Sequence, residues 1–92
     1  MPDILLVEDY QPNILVATTL LEQFGFPCDV ATNGAQALER IRQHPYKVIL
    51  MDVEMPEMNG FETTRRVRLM EEEMSRHATP IVAMTAYAWR RA

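Results

Sequence analysis

The sequence predicts an α/β protein built on a doubly wound parallel sheet. Short apolar runs of four or five residues alternate with segments of ten or more that carry a helical period. The runs are apolar on successive residues, as in strands buried on both faces. Polar residues suited to chemistry sit directly after three of the four runs, where a parallel sheet places its ligands.

ILLV, Ile4 to Val7, is the first run, and Glu8-Asp9 follows it at once. Asp9 to Asn13 carries helix-cap chemistry with Pro12 near the first turn, and Ile14, Leu15, Leu20, Leu21 and Phe24 mark a helical face that stops at Gly25. CDVAT, Cys28 to Thr32, is a second strand. Asn33-Gly34 reads as a turn, and Ala35, Leu38 and Ile41 mark a helix that Pro45 ends. The third strand runs from Lys47 to Met51 or Asp52, and a loop containing Met-Pro and Asn-Gly leads to a helix from about Phe61 to Met74. PIVAMT, Pro80 to Thr85, opens on a proline, which a strand tolerates at its first residue. AYAWRRA follows it.

The 92 residues suffice for one domain, since two cores of half that size would each be too thin. Apolar residues make up 48% and charged residues 24%, the balance of a globular chain. A net charge of -4, with basic residues scattered, argues against a nucleic-acid backbone as a direct ligand and favours a cation. Cys28 is the only cysteine, so no internal disulfide or thiolate cluster forms, and the cytoplasm is the expected compartment. No apolar run approaches the roughly 20 residues that span a bilayer, so no membrane contact is expected.

Glu8 and Asp9 after the first strand, Asp52 closing the third and Thr85 closing the fourth are expected to converge on one rim. Each has an ordinary alternative: Asp9 a helix cap, Glu8 a solvated loop acid, Asp52 a satisfied turn, Thr85 a strand residue. Together they fit those alternatives poorly. Three carboxylates on one rim repel, and a bound Mg2+ resolves the conflict with carboxylate, carbonyl and water oxygens. Phosphoryl chemistry is the natural use of such a site, with Asp52 the candidate nucleophile. The remaining residues read as structural: Glu71-Glu72-Glu73 as a solvated helix face, the methionines Met51, Met55, Met58, Met70, Met74 and Met84 as packing, and His44 and His77 as connection residues without ligand spacing.

ILLVED, VILMDVEMPEMNG and PIVAMTAYA, in that order and at this spacing, resemble the receiver domains of two-component response regulators, most like those of hybrid sensor histidine kinases. The resemblance covers essentially the whole chain. It implies a flavodoxin-like receiver fold, and a function in which Asp52 accepts a phosphoryl group from a phosphohistidine of a sensor histidine kinase or histidine phosphotransfer protein. It also implies that Asp9 binds Mg2+ directly, Glu8 contacts it through water, Glu54 supplies a backbone carbonyl and Thr85 is the switch hydroxyl. Glu54 and Tyr87 fall where the family tunes access of water to the acyl phosphate. Pro56 and Gly60 match the shaped loop.

The family continues with a fifth strand, a Lys-Pro and a last helix, so the domain over residues 1–92 is expected to be incomplete at its C-terminus. The only lysine, Lys47, is expected at the opposite end of the sheet. An open fourth strand then invites pairing with a second copy or a domain swap. Trp89 would either meet partners or cover apolar area. Two other functions compete: a non-phosphorylated receiver acting as a dimerisation or kinase-docking module, and a metal-dependent phosphatase of the haloacid dehalogenase type, which the Glu at position 54 and the lack of a downstream lysine disfavour.

Overall fold

In a computed structural model, residues 2–84 are described, and they form a four-stranded parallel sheet with three helices. The elements are β1 (Ile4–Val7), α1 (Gln11–Gln23), β2 (Cys28–Ala31), α2 (Gly34–Gln43), β3 (Val48–Asp52), α3 (Gly60–Glu73) and β4 (Ile81–Met84). The strand order is β2-β1-β3-β4. The doubly wound expectation holds, and the strand boundaries agree within one residue. Thr85, Tyr87 and Trp89 lie outside the described residues.

β1 occupies the centre with β2 on one side and β3 on the other, pairing Leu5 with Asp29 and with Ile49. The chain therefore winds one way from β1 to β2 and the other way from β2 to β3 and β4. Right-handed crossovers then put α1 on one face and α2 with α3 on the other. Leu5, Val7, Ile49 and Met51 meet Ala37, Ile41, Val67 and Met70 in one buried core. Leu6, pointing the other way by strand alternation, is also fully buried.

α1 departs from the expected apolar face. Only Ala17 is buried and Ile14 and Leu21 are half-buried, whereas Leu15 and Phe24 are 68% and 74% exposed. The helix turns its narrow Ile14, Ala17 and Leu21 stripe to the sheet, because those positions are spaced for one side of the cylinder. The cap chemistry expected from Asp9 to Asn13 is different as well. Tyr10 is the N-cap residue and makes no side-chain cap bond.

Both Asn-Gly pairs are helix starts rather than free turns. Asn33 Oδ1 accepts the Gln36 N–H at 2.8 Å, and Asn59 Oδ1 accepts the Glu62 N–H at 2.9 Å, each satisfying a helix donor that has no partner within the helix. The following glycine becomes the first residue of α2 or α3.

The acid run at the end of α3 is not uniformly solvated. Glu72 and Glu73 are exposed, but Glu71 is buried and accepts the Thr79 N–H at 2.7 Å and Arg68 Nη1 at 2.8 Å. Its carboxylate ties the end of α3 to the approach of β4. Charge-assisted bonds of this kind contribute about 1.5–3 kcal/mol. Glu71→Ala is expected to lower unfolding stability by ~2 kcal/mol, and Glu71→Gln, which keeps an acceptor for Thr79, by roughly half as much; urea denaturation measures both.

Met51, Met55 and Met70 are buried, as expected of packing residues, and Met58 and Met84 are half-buried, whereas Met74 is exposed. His44 Nε2 lies 3.0 Å from the Pro2 carbonyl and its ring meets Tyr46 edge-on. Lys47 stands before β3, paired with Asp3 at 3.7 Å, at the end of the sheet away from Asp52 as expected. Among the described residues no helix is long and apolar enough to cross a membrane. β4 pairs with β3 alone among them, and Val82 is 46% exposed.

Candidate functional site

The strand order reverses direction between β1 and β3, so the loops after these two strands diverge and open a crevice at their carboxyl ends. Asp52 closes β3, and Glu8 and Asp9 follow β1 directly. Because Val7 pairs with Met51, the next residues on both strands arrive at the same height. Each of Glu8, Asp9 and Asp52 offers a carboxylate oxygen, and the three oxygens lie within 4.8 Å of one another.

Glu8 is 1% exposed and Asp52 6%, with Asp9 half-buried above them. At an effective dielectric constant of about 20, two unit charges that close repel by roughly 3–4 kcal/mol. Burial pushes the Asp52 carboxyl up to about 7, helped by Glu8 and Asp9, while the backbone N–H of Glu54 acts the other way. Crowded carboxylates, two of them buried, are the donor set of a small hard cation, which offsets both the repulsion and the burial cost. The residues present fit Mg2+.

Local bonds hold this arrangement. The Glu8 N–H donates to the Ala31 carbonyl at 3.0 Å, which fixes the end of β1 against β2. Glu8 Oε2 accepts the Tyr10 N–H at 3.2 Å, and Asn13 Nδ2 donates to Oε1 at 3.4 Å. Glu8 thus serves both the start of α1 and the acid cluster. The sequence reading missed Asn13 as the residue that orients Glu8, since its type and place suggest only a cap. Glu54 has an exposed side chain, and its N–H donates to Asp52 Oδ1 at 3.1 Å. Thr85 lies outside the described residues, although its neighbour Met84 accepts the Val53 N–H at 2.9 Å.

Gly60 supports the acceptor from behind. Its N–H donates to the Val53 carbonyl at 2.9 Å, and a Cβ there would stand 2.3 Å from the Asp52 carbonyl oxygen and 2.9 Å from Val53 Cα. These are backbone atoms and cannot swing aside. Gly60→Ala is expected to cost about 3 kcal/mol or more, at the upper end of overpacking effects, despite alanine's better helix propensity. Thermal denaturation checks it.

An acid crevice at the switch point of a parallel α/β sheet places the chain in the class of doubly wound domains that carry their site beyond the carboxyl ends of the strands. The model of the response regulator receiver domain matches residues 4–91. The chain is 43% identical over 89 residues to the sensor histidine kinase GacS of Pseudomonas protegens, covering 95% of this chain and 10% of that protein. It is 37% identical over 86 residues to the aerobic respiration control sensor protein ArcB of Escherichia coli, covering 91% and 10%. Among solved structures, the receiver domain of the histidine kinase CKI1 from Arabidopsis thaliana, complexed with Mg2+ and BeF3-, superposes with a TM-score of 0.84 at 28% identity, over 97% of this chain and 72% of that one. The Vibrio cholerae chemotaxis protein CheY4 gives 0.78 at 30% identity, over 90% and 67%. This chain belongs to the response regulator receiver domain family of two-component signalling. It spans about a tenth of the length of these curated kinases.

Proposed function

We propose that this receiver is a phosphoacceptor: Asp52 takes a phosphoryl group from a phosphohistidine on a sensor histidine kinase or a histidine phosphotransfer protein, and the modified domain switches its partner contacts. The convergence of Glu8, Asp9 and the strand-terminal Asp52 carries this reading. The carboxylates of Glu8, Asp9 and Asp52, with the backbone carbonyl of Glu54, would hold Mg2+. When bound, the ion neutralises charge on the phosphoryl oxygens and on the crowded acids. The Mg2+ in the Arabidopsis complex supports the choice of metal.

Asp52 attacks phosphorus through a carboxylate oxygen, the P–N bond to the donor imidazole breaks, and its electron pair leaves with the ring nitrogen, which is then protonated. The Glu54 N–H on Oδ1 orients the attacking carboxylate. Thr85 supplies a hydroxyl to a phosphoryl oxygen, and the side chains of Glu54 and Tyr87 set how readily water reaches the acyl phosphate. The cytoplasm, where kinases charge their histidines from ATP, is the compartment this reading implies.

Incubation with acetyl phosphate and Mg2+ followed by intact mass measurement tests the proposal. One added phosphoryl group is expected, and none when the metal is chelated before the acetyl phosphate is added. An unmodified mass under conditions that phosphorylate a full-length receiver would leave the chain a docking module instead.

A further inference from the structure

The five residues between Val53 and Asn59 carry a strained turn. Glu57 has a φ of 67°, a left-handed value uncommon outside glycine. The Met58 N–H donates to the Pro56 carbonyl at 2.8 Å, closing a γ-turn around Glu57 of the less favoured hand. Such a turn persists only where its surroundings hold it.

Two side chains anchor the segment. Met55 is buried in the core. Met58 points to the start of α2, where a Cβ on Gly34 would stand 2.8 Å from its Sδ and 3.2 Å from its Cβ, and 2.5 Å from Thr63 Oγ1. Thr63 is fully buried and its hydroxyl donates to the Asn59 carbonyl at 2.9 Å. The missing Cβ of Gly34 therefore makes the seat into which the far end of the Asp52 loop packs. Gly34 is buried, and it takes no positive φ that would require glycine. Close approach, not backbone conformation, demands glycine at this position.

We propose that Gly34 and Met58 are positioning residues for the acceptor: Met58, seated on the bare backbone of Gly34 beside Thr63, holds the strained turn and so keeps the Glu54 N–H on the Asp52 carboxylate. The consequence for phosphoryl transfer rests on the phosphoacceptor reading; the loop geometry does not. A displacement of about 1 Å in a positioned group can cost ~100-fold in rate.

The test compares Gly34→Ala, Gly34→Ala/Thr63→Ala and Met58→Ala, each first shown to be folded by circular dichroism. Hydrogen exchange of the Glu54 amide is measured in metal-free protein, and the rate of uptake from acetyl phosphate with Mg2+. Gly34→Ala is expected to accelerate Glu54 exchange and slow uptake by roughly tenfold or more, although alanine favours the helix itself. Thr63→Ala removes the nearest contact of the added methyl but leaves Met58 Sδ at 2.8 Å, so it is expected to restore both readouts only in part. Met58→Ala, which removes the anchor without adding volume, should reproduce the loss and replaces Gly34→Ala if that variant does not fold. Wild-type exchange and uptake in Gly34→Ala or in Met58→Ala would overturn the proposal. Absence of uptake in the wild type would overturn the phosphoacceptor reading, and the amide exchange then decides the positioning role by itself.

Discussion

Asp52→Asn is expected to make the metal-free protein more stable at pH 8 while abolishing phosphoryl uptake. The carboxyl is pushed from its ordinary value of 3.8 up to about 7, first by burial and then by Glu8 and Asp9. Between about pH 4 and pH 7 the native protein therefore holds a proton that the unfolded chain has released. Stability from this group is full below about 4 and falls as the pH rises through 7. A neutral amide cannot ionise, so the variant escapes the loss and most of the slope disappears with it. In a domain of this size each kcal/mol moves the thermal midpoint by about 4–8 °C, so a rise of several degrees at pH 8 is readily measured. A variant less stable than the parent at pH 8 would show that Asp52 is satisfied without a cation. Function moves the opposite way, because an amide offers phosphorus no anionic nucleophile.

The second large effect is the dependence of metal stabilisation on pH. A ligand that binds only the folded state stabilises it by about 2.7 kcal/mol when present at a hundred times its dissociation constant. Mg2+ held at the proposed site would compete with the proton on Asp52, so its binding would release that proton and strengthen as the pH rises through about 7. Thermal denaturation with and without magnesium chloride should show a large upward shift at pH 8 and a small one at pH 5. Asp9→Asn removes one of the three converging oxygen donors' charges and should shrink the pH 8 shift. Equal shifts at both pH values would mean that the ion sits elsewhere.

Much of this molecule is legible in its sequence, for local reasons. The strands ILLV and VILMD carry four successive apolar residues each and alternate with helices, the pattern of a parallel sheet covered on both faces. The convergence of Glu8, Asp9 and Asp52 follows from topology, since ligand sites of such sheets lie beyond the carboxyl ends of the strands. What escapes a linear reading depends on tertiary partners. Glu71 looks like its neighbours Glu72 and Glu73, yet Thr79, from across a loop, and Arg68, one turn back on the same helix, hold it inward. Leu15 and Phe24 look like core, but the side of α1 turned to the sheet is the one that carries Ile14, Ala17 and Leu21. The roles of Asn13 on Glu8 and of Gly34 under Met58 arise between elements and leave no periodic or compositional trace.

The position at which phosphorus becomes attached decides whether Asp52 is the acceptor. The protein treated with acetyl phosphate and Mg2+ would be reduced with borohydride, which converts an aspartyl phosphate to homoserine, then digested and sequenced by mass. Homoserine at position 52, absent when the metal is chelated, is the predicted result. Homoserine at another carboxylate, with position 52 still aspartate, would contradict it.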